Sequence, residues 1–275
     1  MRIDAHQHFW RYSSDEYSWI DDAMAAIRRD FLPSDLAPEM AAASIDSVIS
    51  VQACQTIAET EALLDYAAQH SWITGVVGWV PLAHPAIADL LARLAANPRL
   101  KGIRHVLQAE PDAYMDRADF NHGLVQLRTL NLTYDLLILH HQLPAAIRLV
   151  DRHPNQAFVL DHIAKPPIRA EELQPWAHNL ADLARRPNVF CKLSGVATEA
   201  DYATWTYAQI LPYVEVALEA FTPARLMFGS DWPVCRVATT YVDWVRTVER
   251  FAASLSDAEC EALFHTTAAR AYHIA

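Results

Sequence analysis

Glycine is scarce, with six in 275 residues, and no Gly-rich loop follows the first apolar run, as a dinucleotide-binding open sheet would require. The four cysteines, Cys54, Cys191, Cys235 and Cys260, form no CxxC pair and no short disulfide spacing; they suit reduced thiols that serve packing. No apolar run approaches the ~20 residues needed to span a bilayer. The opening MRIDAHQHFW lacks the basic and apolar regions of a secretory leader. No Gly/Ser, Gln/Asn or single-sign tract marks a linker or a disordered tail. Lys and Arg are scattered, and a formal charge of −11 would repel nucleic acid and anionic membranes. These absences leave a cytoplasmic protein whose partner is a small, neutral or weakly charged molecule.

Hydrophobic residues make up 52% of the chain and charged residues 20%, enough for an ordered globular domain throughout. Eight short β-rich runs recur along it: RIDAHQH, SVISVQA, ITGVVGWV, KGIRHVL, TYDLLIL, AFVLDHI, VFCKLSG and RLMFGSD. Several are almost continuously apolar, as parallel strands buried on both faces must be. Helical spacing lies between them, most plainly in PAIADLLARLAAN, where Ile87, Leu90, Leu91, Leu94 and Ala95 form one stripe. Thr56 with Glu59 and Ser256 with Glu259 read as capping boxes. Alternation of this kind over this length predicts one α/β domain spanning residues 1–275, a (β/α)8 TIM barrel. An open doubly wound sheet is the other topology such a pattern allows. The Trp-, Tyr- and Asp-rich stretch from Arg11 to Arg29 is longer than most βα loops and is expected to fold over the barrel mouth.

Function in such a barrel gathers where strands end. The runs finish in His6 and His8, in Gln52, in Arg104 and His105, in Asp161 and His162, in Lys192 and Ser194, and in Asp231. The i, i+2 spacing of His6 and His8 places both imidazoles on one face, where they can bind a divalent metal or hydrogen-bond a substrate oxygen. Only one of Asp161 and His162, and only one of Arg104 and His105, is expected to point inward. Asp231, in GSDWP, reads either as a helix cap or as a general base facing the imidazoles. His140 and His141 read as packing or surface residues.

Together HQHFW, VQA, VVGWV, GIRHVL, DHIAKP, KLSG and RLMFGSDWPV resemble the lactonase branch of the amidohydrolase superfamily. Within it the chain is similar to sugar lactonases of the L-fuconolactonase and L-rhamnonolactonase kind, including the TEADY stretch from Thr198 to Tyr202. The resemblance implies a (β/α)8 barrel whose strand-one histidines, strand-six histidine and strand-eight aspartate are His6, His8, His162 and Asp231. It leaves metal dependence open, since members of the branch differ. Strand four offers Arg104 and His105 where a binuclear site would need a bridging carboxylated lysine or glutamate, so the metal, if any, is one divalent ion such as zinc on His6, His8, His162 and Asp231.

Hydrolysis of a sugar lactone would then use Asp231 as base for water. The three histidines would orient the water and the carbonyl, and Arg104 or His105 would support the oxyanion. His105, Gln52, Lys192, Glu199, Trp205 and Trp232 are the candidates for holding sugar hydroxyls. A metal-dependent decarboxylase of the related barrel branch and a non-catalytic binding barrel are the rival readings. Oligomeric state leaves no trace in the sequence.

Overall fold

The short apolar runs become eight parallel strands in the computed structural model, which describes residues 1–274. They are β1 (Ile3–Gln7), β2 (Ser47–Val51), β3 (Ile73–Gly78), β4 (Leu100–His105), β5 (Thr133–Leu136), β6 (Phe158–Leu160), β7 (Val189–Leu193) and β8 (Leu226–Phe228). Each pairs with the next in chain order. The seam between β8 and β1 is joined just beyond the strands, where Asp231 N–H donates to His6 O at 2.8 Å and His8 N–H to Trp232 O at 2.7 Å. That nearly closed ring decides for the barrel against the open sheet. Among the described residues no helix is long and apolar enough to cross a membrane.

Two apolar layers hold the ring. The outer one lies between strands and helices, and alternation drives it: Val48, Val76, Ile103, Tyr134, Phe158, Leu193 and Phe228 face outward onto helical stripes. On the helix Tyr241–Phe251 that stripe is Tyr241, Trp244, Val245, Val248 and Phe251, and the Trp244 indole N–H reaches Gly229 O at 2.9 Å. The inner layer is small. Ile3, Ala5, Ile49, Val51, Val77, Val159 and Met227 fill the lower barrel, and Ala268, Ala271 and Tyr272 of the C-terminal segment plug its base. The charged side chains inside the ring lie above this plug, toward the mouth.

Ser256 and Glu259 form the full reciprocal cap, with Ser256 N–H donating to Glu259 Oε2 at 2.9 Å and Glu259 N–H to Ser256 Oγ at 3.4 Å. The other expected box is half made. Thr56 Oγ1 accepts from Glu59 N–H at 3.1 Å, but the Glu59 carboxylate turns away to accept from the Ala53 and Cys54 amides at 3.0 and 2.8 Å. Its other oxygen accepts the Tyr17 hydroxyl at 3.1 Å, tying the long loop after β1 to the barrel. The loop is also pinned at its root, where Trp10 and Phe31 exchange backbone hydrogen bonds at 2.9 Å. It then carries Glu16, Ser18, Trp19 and Met24 over the mouth.

Candidate active site

A β-bulge sets the floor of the site. Three steps along β1, from Asp4 to Gln7, match two along β2, from Val48 to Ser50. The extra residue lets Ala5 face the lower core while His6 and His8 also turn inward. Gln7, between them, faces away and donates to Ser50 Oγ at 2.5 Å.

The two imidazoles meet Nε2 to Nε2 at 3.1 Å. Asp231 Oδ1 lies 3.3 Å from His8 Nε2 and 3.6 Å from His6 Nε2. His8 Nδ1 stands 2.7 Å from Val51 O, an acceptor that requires the ring proton on Nδ1. His6 Nδ1 faces Asp161 Oδ1 at 3.3 Å, which favours the same tautomer. Both Nε2 atoms are then lone-pair donors, and with the carboxylate oxygen three Lewis bases converge with no proton among them. Such a donor set fits a divalent cation, its histidines oriented by a carboxylate and a carbonyl behind them. The ligand atoms of His6, His8 and Asp231 all lie within 4.8 Å of one another. His162 belongs instead to a second such group, with His6 and Asp161, so the four expected ligands do not form one set.

The chain leaves β6 through a left-handed turn. His162, Ile163, Ala164 and Lys165 have φ of 53°, 46°, 62° and 48°, a conformation costing roughly 1–2 kcal/mol for each non-glycine residue. Buried Ile163 and Ala164, and the hydrogen bond from Trp176 Nε1 to Ile163 O at 2.8 Å, hold it. Because of this turn Asp161 and His162 both reach the interior, against the expectation that alternation would admit only one. His162 Nδ1 lies 2.9 Å from Ser194 Oγ. Gly195, at φ +62°, passes so close that a Cβ there would stand 2.6 Å from His162 Nδ1 and 3.1 Å from Asp231 Oδ2. Asp231 itself sits at φ 58°, and its side chain faces the imidazoles and caps no helix.

A buried charge network runs from the cavity wall to beneath the floor. Arg104 Nη1 is 2.9 Å from Asp161 Oδ2 and 3.4 Å from His6 Nε2, and its Nη2 donates to Gln52 O. Lys192 Nζ bridges Asp135 Oδ2 at 2.5 Å and Asp161 Oδ1 at 3.0 Å. Tyr272 OH closes the chain on Asp135 Oδ2 at 2.7 Å. Burial works against the Asp161 anion, yet Lys192, His6 and Arg104 hold its pKa well below the usual carboxylate range. For Asp135 burial wins over Lys192, raising its pKa to about 6. Burial lowers His6 strongly and His162 to about 4, the nearby carboxylates only partly opposing, so both imidazoles are neutral near pH 7.

A cavity of about 570 Å³ opens above, lined among others by His8, Arg104, His162 and Asp231, a size suited to a small ligand. Of the expected hydroxyl-binding residues only Glu199 lines it. His105 points outside the barrel, stacked on Tyr114 with ring centroids 5.0 Å apart and bonded to Glu110 at 3.0 Å; Arg104 takes the inward place. Gln52 braces the Arg104 backbone at 3.3 Å, and Lys192 lies too deep. Trp205 donates to Ala238 O at 2.8 Å and Trp232 to Glu39 at 3.2 Å, both as packing residues. Gln55, Gln108, Lys165 and Tyr202 line the cavity without having been singled out in the sequence, for they lie on loops that carry no periodic signal.

Known proteins share this architecture. The chain is 43% identical to an L-fucono-1,5-lactonase of Burkholderia multivorans, over 99% of this chain and 96% of that one. It is 38% identical to an L-fucono-1,5-lactonase of Burkholderia ambifaria, over 89% and 84%. A solved amidohydrolase of Burkholderia multivorans with bound zinc, 42% identical, superposes with a TM-score of 0.97 over 100% of both chains. A family model described as amidohydrolase matches residues 3–274, and this chain belongs to that family.

Proposed function

We propose that the protein hydrolyses the 1,5-lactone of a sugar acid, L-fuconate or a close relative, to the open acid. The observation that carries this reading is the meeting of the Asp231 carboxylate with His8 and His6 at 3.3 and 3.6 Å on the floor of a ligand-sized cavity. The full-length similarity to L-fucono-1,5-lactonases selects the substrate class. A single divalent ion such as zinc fits His6, His8 and Asp231, and when bound it would polarise a coordinated oxygen and lower the pKa of water.

In this mechanism Asp231 accepts a proton from the attacking water as the new C–O bond forms at the lactone carbonyl. The Arg104 guanidinium, fixed by Asp161 and Gln52, places positive charge where the tetrahedral oxyanion develops. His162, neutral and oriented by Ser194, lines the same cavity and offers its other ring nitrogen to the substrate. When the ring C–O bond breaks, Asp231 returns its proton to the departing alkoxide, and the carboxylic acid formed ionises in solution.

A pH-indicator screen of L-fucono, L-rhamnono, L-galactono and D-arabinono lactones tests the proposal. Acid release above background from at least one supports it, and none from any overturns it. Binding without release would favour the non-catalytic barrel, and release of carbon dioxide from an aromatic acid the decarboxylase.

A further inference from the structure

The left-handed turn after β6 delivers a second polar group that the hydrolytic steps do not use. Lys165, its last residue, and Glu199, from the short helical turn after β7, line the same cavity as His162 and Asp231. Their Nζ and Oε1 atoms are 3.6 Å apart, and each side chain is about one-quarter exposed, 23% and 24%. At that separation the charges attract without a hydrogen bond. Among the described residues neither side chain hydrogen-bonds any other protein group, so three N–H donors and a carboxylate's lone pairs face the cavity unused. A partly solvated ion pair of this kind adds little to stability. As a donor beside an acceptor, however, it matches hydroxyl groups, which do both. Tyr202 stands alongside in the cavity wall, with the Arg169 guanidinium 5.5 Å from its ring centroid.

We propose that Lys165 and Glu199 form a polyol subsite, in which the carboxylate accepts from one ring hydroxyl and the ammonium donates to its neighbour, turning the lactone carbonyl toward Asp231. The proposal rests on the reading of the cavity as a sugar-lactone site. Burial raises the Glu199 carboxyl and Lys165 opposes it; a hydroxyl donor would favour the anion further. The subsite also accounts for a strained turn that continues past His162 as far as Lys165.

The test is calorimetric binding to the full-length protein, which needs no turnover. The probes are a polyhydroxylated 1,5-lactam, its dideoxy counterparts each lacking one adjacent hydroxyl pair, and the matching open aldonate. Lys165→Met keeps the aliphatic stem and Glu199→Gln keeps the shape. Each should weaken the parent lactam roughly 10- to 100-fold. One dideoxy counterpart should bind the wild type and both variants equally. Uniform weakening of every lactam would mark the pair as structural, and no weakening would remove it from the site; either result overturns the subsite. Loss confined to the aldonate would also overturn it, by making Lys165 a receptor for the product carboxylate. Acid release from L-fucono-1,5-lactone by the wild type, measured in parallel, separates failure of the hydrolase reading from failure of the subsite.

Discussion

Replacing Lys192 by methionine should cost more stability than any surface charge in the molecule. The ammonium is fully buried, 2.5 Å from Asp135 and 3.0 Å from Asp161. At an effective dielectric of ~20 each attraction is about 5 to 7 kcal/mol, while desolvating each ion costs several kcal/mol in the opposite direction. Methionine fills the space but leaves Asp135 without a cation and Asp161 with Arg104 alone, so the expected loss is about 3–5 kcal/mol. For a chain of this size that lowers the melting temperature by about 10 °C. The loss should depend on pH with a definite sign. Burial already raises Asp135 to about 6, and without Lys192 it rises further. Protonation then relieves the stranded charge, and the variant's deficit shrinks toward pH 5 and grows toward pH 8. Adding Asp135→Asn removes the carboxylate left without a cation and should recover a large part of the loss. Urea unfolding of the wild type, the single and the double variant at both pH values decides it. A single variant as stable as the wild type, or a double variant no better than the single, refutes the reasoning.

Burial lifts Glu59 to about 7, so the folded state holds a proton that the unfolded chain has released. Stability should fall by ~3 kcal/mol as pH rises from the ordinary carboxylate range to 7. Glu59→Gln keeps acceptors for the Ala53 and Cys54 amides and should flatten that fall, whereas parallel pH profiles of unfolding for the two proteins would count against it. Gly195→Ala should destabilise by at least ~1–2 kcal/mol, from the positive φ alone. It should also lose most turnover as the new Cβ displaces His162, and wild-type lactone hydrolysis by the alanine protein would contradict the packing argument. Anomalous diffraction from zinc-loaded crystals should show one ion among His6, His8 and Asp231, and two peaks about 3.5 Å apart would rule out a mononuclear site.

Alternation and strand-end position were enough to find the barrel, and they picked out His6, His8 and Asp231 because parallel strands deliver their last polar residues to one end. Parity also predicted that only one of Arg104 and His105 would face inward, and the structure puts Arg104 there. Parity failed where the backbone leaves the regular strand. The bulge between Asp4 and Gln7 has no sequence signature, and a left-handed turn built without glycine, from His162 to Lys165, has none either. Depth was equally hidden: Gln52 and Lys192 end strands as polar residues, but they lie below the cavity, where they serve Arg104 and Asp161. Trp205 and Trp232 offered sugar-binding faces in the sequence, and packing against Ala238, Phe9 and Phe31 claimed them. Lys165 stood inside DHIAKP, yet its approach to Glu199 depends on two loops from different strands.

The central claim is that Asp231 moves the proton of the attacking water, and Asp231→Asn tests it most directly. The amide keeps the shape and the reach to His8 and removes the basic oxygen. Single-turnover hydrolysis of L-fucono-1,5-lactone, measured beside calorimetric binding of the lactam, should show a rate reduced by about 10²- to 10⁴-fold, the usual worth of a general base, with lactam affinity retained. A folded asparagine variant that binds the lactam and hydrolyses the lactone at nearly the wild-type rate would contradict the account and transfer the proton to another group, His162 first.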